Sequence, residues 1–232
     1  MSARTWRQLL VWLHLASSVS WMSQAAALAV LLFTAIGPAS IPVRIGAVTS
    51  AKLLDTTLLV YSANIATATG LLLAATTSWG FWLHRWVSIK LVLTTGQLYL
   101  GIGILSPRTD AAVTTVTSGG AAGVAGLGAA ATLMASAFAV QVWLSVAKPG
   151  GRTRRAANAR RPGSAPGWLF ALAVLAPIAE TVLGVGITGP LPVLSLVVLI
   201  VAAVHRTRER SSAPGPGKAL TSAKRQPAAS RA

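Results

Sequence analysis

Apolar residues in this chain run in long blocks, broken by short polar segments or by Gly and Pro. A helix needs about 20 mainly apolar residues to cross roughly 30 Å of hydrocarbon, and six blocks read as spans. The first covers residues 8–36 and stops at Gly37-Pro38; the second covers 53–76, the third 86–105 and the fourth 122–147. The fifth covers 168–187 and the sixth 191–205, with Gly189-Pro190-Leu191-Pro192 as a tight break. The opening MSARTWRQLLVWLHLASS has a basic segment and an apolar core like a signal peptide. Its apolar run continues past the Ala-rich stretch at Ala25 to Ala27, so an uncleaved first span is expected. KPGGRTRRAANARRPGSAPG has no hydrophobic period and reads as a loop. The predicted fold class is all-α, a polytopic transmembrane helix bundle with six spans over residues 1–205. Residues 206–232 are a basic tail of Pro, Gly, Ser, Ala and cations, for which composition predicts disorder.

Composition sharpens this picture. Of 232 residues, 53% are hydrophobic and 10% charged, against roughly 25% charged in a soluble domain. A water-soluble globule of this kind would lack polar surface. The formal charge of +16 would by itself suggest a nucleic-acid partner. Sorted by segment, 17 of the 20 Lys and Arg fall at the N-terminus, between the second and third spans or in the first turns of the third, between the fourth and fifth, and in the tail. Cytoplasmic segments are enriched in Lys and Arg, so both termini are expected inside. Trp6, Trp79, Trp82, Trp86, Trp143 and Trp168 lie at the same predicted ends, as a headgroup-level belt would. The expected partners are therefore the bilayer and its anionic lipids at the cytoplasmic face, where each nearby cation contributes about 1 kcal/mol. No nucleic acid is needed to explain the charge.

The absence of Cys removes disulfides, thiolate nucleophiles and Cys-ligated metal centres. No nucleophile elbow, phosphate loop, HExxH or paired-carboxylate motif occurs, so no catalytic residue is assigned and the chain does not read as an enzyme.

Ionisable groups inside spans are costly, at least about 2.5–3.5 kcal/mol on insertion scales, and therefore informative. His14 is followed by Ser17, Ser18 and Trp21 on one helix face, with Gln24 beyond. Lys90, Thr94, Gln97 and Gly101 form a second stripe, and Tyr61, Asn64 and Thr67 a third. The three stripes are expected to face one another, as interhelical hydrogen bonds worth about 0.6 kcal/mol each or as a transport seam of His14, Asn64, Lys90, Gln97 and Glu180. Lys90 lies near its span's end and can snorkel to the interface. Glu180, three residues after Pro177, needs a cation, a proton or water beside it. His14, His84 and His205 all map to the cytoplasmic half, which raises haem b or a metal as an alternative cofactor reading. Small residues at Gly119 and Gly123, Ala122 and Gly126, Gly101 and Gly103, and Gly184 and Gly186 offer close-packing faces for the bundle or for a homo-oligomer.

LVWLHLASSVSW and TGLLLAATTSWGFWLHRWVSIKLVLTTGQLYLGI together resemble a family of uncharacterised bacterial polytopic integral membrane proteins, itself distantly similar to the copper-resistance D type membrane proteins. The resemblance covers roughly residues 6–105. It implies a multi-pass protein of the bacterial plasma membrane and picks out His14, Trp21, Arg85, Trp86 and Lys90. With no Cys and few Met, copper handling is not expected. The expected activity is that of a small permease or a membrane-complex component. A haem or metal redox module and a scaffold acting through the basic loop and tail are the alternatives.

Overall fold

The computed structural model describes residues 1–157, 164–184 and 192–211, and all regular secondary structure there is helical. Six longer helices follow one another along the described residues. They are α1 (Ala3–Ile36), α2 (Ile41–Thr76), α3 (Arg85–Thr117), α4 (Val124–Ala147), α5 (Gly167–Leu183) and α6 (Val193–Ser211). A short helical turn, Arg154–Ala157, lies in the loop before α5. The first four are long and apolar enough to cross a membrane. At 34, 36 and 33 residues, α1 to α3 are about 50–54 Å long. That exceeds the hydrocarbon thickness, so they project beyond it. Large apolar side chains such as Trp12, Val30, Leu58, Val92, Leu133, Val182 and Ile200 are exposed on helices throughout the bundle. In water such a surface would be an aggregation liability; against lipid it costs nothing.

Local chemistry sets the helix ends. Ser2 caps α1, its hydroxyl accepting from the Thr5 N–H at 3.2 Å. Gly37-Pro38 stops α1, and the Arg44 guanidinium donates to the freed Ala35 carbonyl at 2.8 Å. Gly123, at φ 78°, precedes α4, and Lys148, at φ 47°, ends it. Both α2 and α3 are longer than hydropathy predicts. The second span was expected from residue 53, but α2 starts at Ile41 with Pro42 in its first turn, where a missing N–H costs nothing. Its extra turns bury Ala47, Val48 and Ala51 while Thr49 faces out.

The third span was expected to stop at Leu105 before Ser106-Pro107. Instead a π turn over Gly101–Leu105 carries the helix through, with the Ser106 N–H bonded to the Gly101 carbonyl. The widened turn shifts the hydrogen-bond ladder just where the Pro107 ring would meet the preceding turn. A second π turn, Asp55–Leu59, lies in α2. The two are joined by the Ser106 hydroxyl donating to the Asp55 carboxylate at 2.6 Å, and Lys52 pairs with Asp110 at 2.7 Å.

Two cores hold the bundle. One joins α1, α2, α4 and the far end of α3, through residues such as Trp21, Leu32, Val48, Ala63, Leu127 and Phe138. The other joins the start of α1 and the end of α2 to α5 and α6, through Leu10, Leu72, Phe170, Ala173 and Ala202. Alanine is the commonest residue of the first core and shares the second with leucine, because helices in lipid associate through close backbone approach. Gly128 is the clearest case: a Cβ there would sit 3.1 Å from the Phe33 ring. The glycines singled out by spacing behave differently. Gly119 and Gly123 are turn residues with φ of 85° and 78°, not packing residues, and Gly126 has open space around it. Gly186 lies outside the described residues. At the end of α2 the Arg206 guanidinium of α6 donates to the carbonyls of Ala74, Ala75 and Thr77. This is a cationic cap on a helix C-terminus.

The fifth span was expected over 168–187 and the sixth over 191–205. Among the described residues α5 has 17 residues, short for a full crossing, and Pro177 lies inside it. The end of the expected fifth span and the start of the sixth fall outside the described residues.

Candidate functional site

A cavity of about 350 Å³ opens between α1, α2, α3 and α4. A few polar side chains from each of the four helices interrupt a lining that is otherwise apolar and aromatic. Trp21, Trp79, Phe81, Trp86 and Phe138 contribute to the walls, and His14, Lys90, Thr94 and Gln141 contribute the polar groups. Trp21 and Phe138 meet edge to face at 4.4 Å and 63°, and Trp79 meets Trp86 at 5.5 Å and 71°.

His14 is held by α2. Its Nδ1–H donates to the Ala66 carbonyl at 3.0 Å, with the Thr69 hydroxyl at 3.1 Å. Thr69 spends its own proton on the Ile65 carbonyl at 2.6 Å, so both partners are acceptors and Nδ1 must carry the hydrogen. The ring lies on Gly70, where a Cβ would be 2.9 Å from His14 Cε1. Only glycine leaves room for the imidazole.

Across the cavity, a polar ladder joins α3 to α4. Lys90 Nζ donates to the Ser145 hydroxyl at 2.7 Å, and Ser145 donates to the Gln141 carbonyl at 2.9 Å. Thr94 donates to Gln141 Oε1 at 2.8 Å. The Gln141 amide donates to Gln97 Oε1, and the Gln97 amide donates to the Met134 carbonyl at 3.0 Å. Each amide thereby uses its carbonyl oxygen and one N–H, the pairing that buried Gln requires. Among the described residues the Lys90 ammonium has a hydroxyl partner and no carboxylate partner.

The expected seam is thus split. His14 and Lys90 share the large cavity; Gln97 is buried behind it and reaches it through Gln141. Asn64 and Glu180 line a separate pocket of about 10 Å³ with Tyr61 and Pro192, room for roughly one water. Among the described residues Glu180 pairs with no cation, and the pocket beside it is small. Its carboxylate accepts from the Ser195 N–H at 2.8 Å and the Ser195 hydroxyl at 2.5 Å, in the first turn of α6, where the helix dipole favours negative charge.

Of the residues that carry the resemblance, His14, Trp21, Trp86 and Lys90 all line the large cavity. Arg85 does not; its side chain lies against Gly150. The other histidines occupy different surroundings. His84 Nδ1 donates to the Trp79 carbonyl at 3.0 Å, and His205 packs edge to face on Trp168 at 5.9 Å. Among the described residues no group of three or more His, Asp or Glu side chains is placed to hold a metal ion.

Sequence reasoning missed Gln141, Ser145 and Gly70. Gln141 and Ser145 are four apart on an otherwise apolar helix, a visible stripe that the small residues earlier in the same span overshadowed. Gly70 is a lone glycine inside a helical pattern, the kind of position where a close approach is worth seeking.

Membrane-length apolar helices around a small-molecule-sized cavity define a class, that of helical membrane proteins with a cavity between their helices. No protein-family model, curated protein or solved structure matches this chain.

Proposed function

We propose that this is a multi-pass protein of the bacterial plasma membrane, crossing six times with both termini in the cytoplasm, that binds a small molecule in the α1–α4 cavity as a small permease does. The observation that carries the reading is the cavity itself. It has the volume of a ligand site, at the lower end of the usual 300–1,000 Å³, and it pairs apolar walls with a few converging polar groups. A bundle needing only hydrogen-bonded glue has no use for that space, because interiors otherwise pack to near-crystalline density. The six-span topology draws its support from the cationic segments, whose placement makes α5 and α6 a final hairpin.

The native chain has no cysteine, so single-cysteine variants test this reading directly. Thr95 lines the cavity, whereas Val92 is 65% exposed on the outer surface of the same helix. A hydrophilic thiol reagent is expected to label Thr95→Cys and to leave lipid-covered Val92→Cys unmodified. Ser118→Cys is expected to react in intact cells, and Ser2→Cys only after the membrane is permeabilised. Thr95→Cys as inert as Val92→Cys would mean a dry seam and would remove the permease reading.

A further inference from the structure

Resting on that reading, we infer that the cavity's ligand is an amphipathic organic anion: a single anionic head on Lys90, with a ring or one acyl chain among the aromatic walls. The first reason is charge. Lys90 brings a cation into the cavity wall, and among the described residues neither Asp nor Glu lines it. Lys148 borders the same cavity and adds a second positive group. A cationic guest would meet repulsion there; an anion would neutralise a charge that the described residues leave without a counter-ion.

The second reason is unused hydrogen-bonding capacity. An ammonium has three donors, and Ser145 takes one from Lys90. His14 donates its Nδ1–H to α2, so its Nε2 is an acceptor with no proton for a carboxylate, and the head falls to the two remaining donors of Lys90.

The third reason is shape. Trp21, Trp79, Trp86 and Phe138 supply flat apolar surface, and about 350 Å³ is too little for a two-chain lipid to enter whole. One head and one ring or chain fit. The anion can come from solution as a free carboxylate, or from the bilayer as an anionic lipid inserting its head and part of a chain.

Because Trp21, Trp79 and Trp86 line the cavity, tryptophan fluorescence reports on it. The full-length protein in phosphatidylcholine nanodiscs is titrated with 8-bromooctanoate and with 8-bromooctan-1-ol, whose bromine quenches indoles on contact. The acid is expected to give saturable quenching on top of the non-saturable background from partitioning. Lys90→Met is expected to weaken that saturable phase at least about tenfold, the scale of one hydrogen bond to a charged group. Lys90→Arg is expected to retain it, which separates loss of charge from loss of fold. Phosphatidylglycerol in the nanodiscs displacing the acid identifies the bilayer as the source; an unchanged titration identifies dissolved carboxylate. Both results uphold the anion. Equal saturable binding of acid and alcohol would overturn the anionic ligand and leave the cavity site standing. No saturable phase with either probe would overturn both.

Discussion

At the scale of single residues, two glycines show what helix contact demands. A Cβ at Gly70 would fall 2.9 Å from a ring carbon of His14, and that ring is pinned by the Ala66 carbonyl. A Cβ at Gly128 would meet the Phe33 ring at 3.1 Å, but Phe33 is 44% exposed and can swing toward lipid. Gly70→Ala is therefore expected to cost about 1–3 kcal/mol, as overpacking does, and Gly128→Ala less. Thermal unfolding of the two variants in the same detergent checks the order. Equal losses would mean that His14 is not held as described. His14 and Lys90 were legible in the sequence because ionisable groups inside apolar spans stand out. Asn64 was grouped with them because it lies three residues from Thr67. On a helix, three residues differ by about 60° around the axis. That rotation is enough to put Thr67 on the large cavity and Asn64 on the small pocket beside Glu180.

At the scale of elements, the α5–α6 pair is organised by one carboxylate. Glu180 accepts two hydrogen bonds from Ser195 and so acts as a side-chain cap reaching over from the neighbouring helix. Glu180→Ala strands the N–H and hydroxyl of a residue that is 3% exposed, and is expected to cost about 1–2 kcal/mol. Glu180→Gln keeps one acceptor oxygen and is expected to cost less. Chemical denaturation of both variants tests this. A Glu180→Gln protein of native stability but without ligand binding would instead place Glu180 in the ligand path.

The existence of the first four long helices could be read from block length alone. Their ends could not, because a helix continues for as long as its backbone is satisfied, whatever its hydropathy. The first turns of α2 carry Arg44, Thr49 and Lys52 and still pack on α1 through Ala47, Val48 and Ala51. The π turns at Asp55–Leu59 and Gly101–Leu105 have no sequence period of their own. One of them turned Pro107 from an apparent stop into a first-turn residue.

At the scale of the whole molecule, three long helices and a shorter fourth surround the cavity, while α5 and α6 clamp the end of α2. The polar groups divide accordingly. Gln97, Gln141 and Thr94 bond one another between α3 and α4, and Arg206 holds the end of α2. Lys90, with one of its three donors used, remains with capacity to spare beside the same space. Sequence periodicity could show that polar stripes exist and that they prefer each other to lipid. It could not show which contacts close and which stay open, since that depends on side-chain volumes summed over four helices. The cavity is where this account makes its strongest commitment, and an experimental structure of the protein in lipid nanodiscs tests it most directly. The expected result is an open chamber between α1 and α4, with non-protein density within hydrogen-bonding distance of Lys90 Nζ. Helices α1 and α3 closed on each other, with Leu15 and Leu91 filling the space and Lys90 turned out to the headgroups, would contradict the account.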